Sequence, residues 1–172
     1  MSSYFDKLKG KYTKEHLIQM ELIEKQFYFE SFSSNDALDL GILTAKIAKE
    51  EFQSDVVILI TREKDQNVIF QYIMDEKSQR NIDFANMKRN ATLKTGHNSL
   101  WVLMNGLIND ESLLQDTSYI PVGGAWPIYI GNELVGTIAV SGLKAGKDYT
   151  LLEMAISRYL HIDINPFEGI TI

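Results

Sequence analysis

The chain has 172 residues, 45% hydrophobic and 23% charged, the composition of one globular domain with a packed core rather than of a disordered segment. A net charge of −6 leaves no electrostatic footprint for nucleic acid, and the absence of cysteine removes disulfides, thiolate metal sites and cysteine nucleophiles together. The start, Met1-Ser2-Ser3-Tyr4-Phe5-Asp6-Lys7, is too polar for a signal peptide, and no apolar run approaches the ~20 residues of a membrane span; a cytoplasmic protein without membrane contact is expected.

Lys14 to Gln26 sets Leu17, Ile18, Met20, Leu22 and Ile23 among Lys and Glu, the pattern of an amphipathic helix. Ser33-Ser34-Asn35-Asp36 supplies N-cap chemistry for a second helix that ends near Phe52. Val56 to Ile60 is too short and too β-branched for a helix. With the polar turn Glu63-Lys64-Asp65-Gln66 and the run Val68 to Met74 it predicts a hairpin of central strands. Asp75 to Lys94 reads as a long helix burying Ile82, Phe84, Ala85, Met87 and Leu93, capped at Gly96, and Ser99 to Ile108 as a short one. Residues 109–125 are loop-like. Trp126 to Ile130 and Glu133 to Ser141 flank Gly131-Asn132, a two-residue connection suited to a tight primed turn. Asp148 to Leu160 closes the chain as a helix opened by Asp148 or by a Thr150-x-x-Glu153 capping box.

No repeat or linker divides residues 1–172, so one domain is expected. Strands arriving in hairpins imply an antiparallel sheet, and helices before, between and after them must cover it. The fold class is α/β in the α+β sense, an α/β/α or two-layer sandwich.

Several residues carry chemistry. Gly123-Gly124 can bring backbone N–H groups close to a ligand oxygen, or can simply turn the chain into Trp126. His97 follows the Gly96 helix break, where an imidazole can reach a cleft as a metal or haem ligand or serve as a cap. Lys88 and Arg89 can neutralise a carboxylate or propionate, or form a solvated helix face. Ser99 and Ser141 have no base assigned to them. His16 and His161 look incidental, and no metal-ligand spacing, hydrolase elbow or phosphate-binding glycine motif occurs. No catalytic residue is assigned, and an enzymatic role is left uncertain.

Pro121-Val122-Gly123-Gly124-Ala125-Trp126-Pro127-Ile128, followed by Val135-Gly136-Thr137-Ile138-Ala139-Val140-Ser141-Gly142-Leu143, resembles the signature of the GlcG/HbpS-like, or haem-degrading-domain, family. It is closest to that family's branch of uncharacterised small cytoplasmic proteins. Phe84, Lys88 and His97-Asn98-Ser99-Leu100 continue the resemblance upstream, and it covers about residues 14–160. It implies a profilin-like fold with a central antiparallel sheet, symmetric homo-oligomers (a dimer or higher), and in some relatives haem or a related tetrapyrrole as cofactor. This chain departs from the branch after Ser-Gly-Leu, where Lys144 and Lys147-Asp148-Tyr149 replace Pro and an acidic-acidic-His triplet; only Asp148 matches, and Tyr149 stands in the histidine's place.

The expected function is a small-ligand-binding module for an anionic or tetrapyrrole ligand. Its pocket is formed by the His97 to Leu100 segment, the Gly123-Gly124 loop and the Ser141-Gly142 strand exit, with Lys88 and Tyr149 as further donors. Two alternatives stand beside it: an oligomeric interaction module using exposed Trp101 and Phe167, and an enzyme acting on haem or a small acid.

Overall fold

The computed structural model describes residues 2–144 and 146–172. In chain order it contains α1 (Ser2–Asp6), α2 (Lys14–Gln26), α3 (Ser34–Glu50), β1 (Val57–Arg62), β2 (Val68–Ile73), α4 (Gln79–Thr95), α5 (Ser99–Ile108), a 3-10 turn (Glu111–Leu114), β3 (Ala125–Ile130), β4 (Glu133–Ser141) and α6 (Lys147–Tyr159). The sheet is antiparallel throughout, in the order β2-β1-β4-β3. It lies between two helical layers, the sandwich expected from hairpin-paired strands. None of its helices is long and apolar enough to cross a membrane.

Alternation along the strands sorts side chains into two unequal cores. Ile58 and Ile60 of β1, with Trp126, Ile128, Ile138 and Val140, face the larger core under α2, α3 and α6. Val57, Ala125 and Ala139 face the other way and meet Ala85 of α4. Small residues there let the helix approach the sheet closely, which corrects the expected buried face of α4. Its buried stripe is Ala85, Lys88, Ala91 and Thr92, while Ile82, Phe84, Met87 and Leu93 are only partly covered.

Helix starts follow the local chemistry. Ser33 and Asp36 form a reciprocal capping box at α3. Thr13 does the same at α2 with His16, whose Nδ1 accepts from the Thr13 N–H at 3.2 Å; the histidine that looked incidental caps a helix. Helix α6 is capped by neither Asp148 nor Thr150: it begins after Gly146, which is in the left-handed region at φ 72°. The Gly131-Asn132 turn has positive φ at Gly131 (59°) and not at Asn132, the sign pattern of a type II′ hairpin.

The first hairpin is not wholly central. β1 is buried along its length, but β2 is an edge strand with Val68, Tyr72 and Ile73 exposed. The opposite edge, β3, is blunted by Pro127 and by the segment entering α3, where Phe29 N–H donates to Tyr129 O at 2.9 Å.

Residues 161–172 run without regular structure across α2 and α6. Glu153, 5% exposed, fastens them by accepting the Phe167 N–H at 3.1 Å and the Tyr149 hydroxyl at 2.7 Å on the same oxygen. Phe167 is therefore buried, against the expectation of an exposed contact residue, and Trp101 is half-buried with its indole N–H on Glu21. Burial pushes the Glu153 carboxyl up. A carboxyl with a higher pKa folded than unfolded contributes stability that is complete below its unfolded value and is lost as pH rises through the folded one. Wild-type stability is thus expected to decline as pH climbs above the ordinary carboxylate range, and Glu153→Gln to remove that decline, as read from urea midpoints at successive pH values.

Candidate functional site

A cleft of about 610 Å³ opens where β4 ends, between α4, Val122 and Gly123, and the start of α6; Gly124 lies behind this wall, against Lys88. Its centre is Lys88. Only 4% exposed, this lysine gives its Nζ to Asp148 Oδ2 at 2.6 Å and to Val140 O at 3.2 Å. Asp148 Oδ1 accepts the Leu143 N–H at 3.0 Å, so the carboxylate also holds the turn after β4. A buried ion pair is tolerable only with such extra hydrogen bonds, because both charges have lost water.

Two glycines make the room. Gly124, at φ 127°, would place a Cβ 2.8 Å from Lys88 Nζ and 2.9 Å from Val140 O, inside the ion pair. Gly142, at φ 140°, would set one 2.9 Å from Asp55 O, and its own carbonyl accepts from Lys77 Nζ at 3.1 Å. Both positions need the left-handed half of φ space and the absence of a side chain. Gly123 and Ser141 complete this part of the wall.

Arg80, Asn81 and Phe84 share the Lys88 face of α4, with the Arg80 guanidinium 5.5 Å from the Phe84 ring centre. Sequence reasoning passed over Arg80 and Asn81, although positions 80, 84 and 88 follow one another at helical spacing and following the face from Lys88 finds them. Tyr4, Thr171 and Ile172 bring the two ends of the chain to the same wall, and no local signal announces that. Among the described lining side chains, Arg80 and Lys88 face a single carboxylate, Asp148.

His97 lies elsewhere. It lines a second cavity of about 590 Å³ at the other end of the β3–β4 hairpin, beside the Gly131-Asn132 turn. The shared pocket expected for His97 and the late glycines is therefore divided, since a strand's length separates the two ends. The imidazole Nδ1 lies 2.6 Å from Glu24 Oε2, and its ring stacks on Trp101 with centres 3.6 Å apart. Glu24 Oε1 receives the Asn98 N–H at 2.7 Å and the Asn98 side-chain amide at 2.6 Å. Phe27, Tyr28, Trp126, Pro127 and Tyr129 form apolar walls, and the buried Trp126 indole N–H has no acceptor among the described residues.

Two further candidates are structural. Ser99 is fully buried and its Oγ accepts the Ala125 N–H at 3.0 Å. Tyr149 is 1% exposed and turns its hydroxyl to Glu153 inside the core, so it does not replace the branch's histidine as a donor to the cleft. Burial raises its phenol pKa well above the usual value, which keeps it neutral. Arg89 faces Gln66 at 2.6 Å and Glu63 at 3.6 Å, away from both cavities.

A helix-screened antiparallel sheet with glycines gathered at one strand end defines an α+β sandwich protein with a cleft at that end. The chain belongs to the haem degrading protein HbpS-like family, whose model matches residues 32–157. It is 28% identical to a UPF0303 protein of Azotobacter vinelandii over 150 residues, covering 84% of this chain and 89% of that one. A UPF0303 protein of Streptomyces coelicolor is 27% identical, covering 86% of this chain and 96% of the relative. Among solved structures, the Ybr137w protein superposes with a TM-score of 0.74 at 23% identity over 84% of this chain and 87% of its own. A PduOC:haem complex superposes with a TM-score of 0.62 at 19% identity over 74% and 94%. Likeness at these identities shows the fold.

Breaking the ion pair tests its place in the structure. Lys88→Met, which strands Asp148 without a counter-charge, is expected to cost about 3–5 kcal/mol of unfolding free energy in urea titrations. Lys88→Met combined with Asp148→Leu is expected to recover more than half of that loss.

Proposed function

We propose that this chain is a cytoplasmic, homo-oligomeric small-ligand-binding protein whose cleft beside Lys88 takes an organic anion. The observation that carries the reading is local side-chain charge: in a chain of net −6, this cleft presents Arg80 and Lys88 against one carboxylate side chain. Lys88 keeps one of its three ammonium hydrogens beyond the two bonds it makes, and Arg80 offers a planar fork of donors. Phe84 and Val122 supply apolar wall for the body of such a ligand. The cavity volume lies within the range usual for small-molecule sites. Native mass spectrometry against a pool of carboxylates and phosphates is expected to retain an anion. A charge-assisted hydrogen bond contributes about 1.5–3 kcal/mol, so Arg80→Gln should weaken the complex roughly tenfold to a hundredfold. Retention of no anion, or an affinity indifferent to Arg80→Gln, counts against the reading. Light scattering on the same sample reads the assembly.

A second reading concerns haem, and a specific observation favours placing it in the other cavity. The Lys88 cleft has no imidazole on its described wall, whereas His97 is oriented through Nδ1 by Glu24, leaving Nε2 for iron, the arrangement by which carboxylates commonly orient ligating histidines. Tyr28, Trp126 and Tyr129 supply the apolar walls that a tetrapyrrole requires. The solved PduOC:haem complex shows that a protein of similar fold takes this group. Haem titration should give a Soret band that shifts or weakens on His97→Ala and on Glu24→Gln. A flat titration, or one unchanged by both substitutions, removes the haem reading and leaves the anion reading intact.

A further inference from the structure

One donor on the cleft wall is already engaged. Gly123, half of the glycine pair that would meet a ligand oxygen, gives its N–H to the main-chain oxygen of Ile172. Thr171 and Ile172 themselves line the cleft. They arrive there from outside residues 32–157, the span matched by the family model.

The approach is fastened unevenly. Residues 166–168 are clamped: Gln19 donates to Pro166 O at 3.2 Å and accepts the Glu168 N–H at 3.0 Å, while Phe167 is buried with its N–H on Glu153. Beyond Glu168 the hydrogen bonds are fewer, and the hold comes instead from Ile172 packing against the core and from Thr171 lying close over Gly146. The Tyr12 hydroxyl donates to Ile170 O at 2.8 Å, Ile172 meets Gly123, and the Ile170 side chain remains 48% exposed. A firm anchor followed by a stretch with fewer hydrogen bonds is what a local opening requires, because that stretch can lift without disturbing the clamp.

We propose that residues 169–172 are a displaceable strap that competes with the anion for the Gly123 N–H. This rests on the reading of the Lys88 cleft as an anion site. The competition follows from the count of partners: one N–H cannot serve the Ile172 oxygen and a ligand oxygen together at full strength. While the strap is closed, Lys88 and Arg80 remain on the wall but the backbone donor is taken, so apparent affinity is the open-strap affinity scaled down to the fraction of molecules with the strap open. Glu153 and Gln19 set where the strap begins, and Tyr12 sets how readily it lifts.

The test compares the full chain, Tyr12→Phe and a chain ending at Gly169. Hydrogen exchange at the Gly123 amide is followed by NMR, and benzoate, whose carboxylate and ring suit Arg80 and Phe84, serves as probe. Gly123 should exchange at least tenfold faster in both variants while the Val140 and Leu143 amides keep their rates. Benzoate should bind the shortened chain at least tenfold more tightly than the full one. Unchanged exchange at Gly123 overturns the strap. Faster exchange with equal benzoate affinity in all three overturns the competition and leaves the anion site standing. Faster exchange with benzoate bound by none removes the anion site, and the competition with it.

Discussion

Lys88 and Asp148 stand 60 positions apart in sequence, on the two helices that sandwich the end of β4, and their contact ties both helical layers to the sheet. The tie is three-way, because Lys88 also reaches Val140 O and Asp148 also holds the Leu143 N–H. Much else near the strand exit follows from it. Gly124 must lack a side chain so that the ammonium can sit where a Cβ would be, and the turn after β4 takes its direction from the carboxylate. Buried charge of this kind is weak evidence for added stability, since a well-packed apolar pair can often do as well.

The divided sites have a related logic. At one end of the β3–β4 hairpin a lysine is held by a carboxylate, and at the other an imidazole is held by one. Both carboxylates also accept backbone N–H groups, so each fixes the local chain as well as its cation or imidazole partner. The two cavities differ in their walls: guanidinium, ammonium and glycine at Lys88, indole, phenol and proline at His97. A polar anion and a flat apolar ring would sort between them without competing.

How much of this could be read from the chain depended on how far apart the participants lie. Elements governed by near neighbours were legible: the Ser33–Asp36 cap, the Gly131 turn, the β-branched run at β1 and the Gly96 stop all follow from interactions within a few residues. The family signature placed Gly123, Gly124, Ser141 and Gly142 at one strand end, and Lys88 joined them. What failed was distance. Nothing within a few positions of His97 reveals that Glu24, 73 residues earlier, holds it at the far end of the hairpin. Tyr149 looked available because its register was inferred from a histidine, yet one helical turn on, at Glu153, waits a buried acceptor that draws it into the core. The buried stripe of α4 was misjudged because apolar size was taken as the guide, whereas close helix–sheet contact selected alanine.

The two margins of the sheet are unlike, and that bears on how copies of the chain can meet. Along β3 a proline and the Tyr28–Phe29 crossing close off the main chain, while β2 offers Val68 to Ile73 with no charged residue and, among the described residues, no strand paired to its outer edge. Growth by main-chain pairing therefore has a single point of entry. Two molecules joined there by a two-fold axis would each cover the other's open margin and leave none behind, so the joining ends at a pair and cannot run on into a fibre.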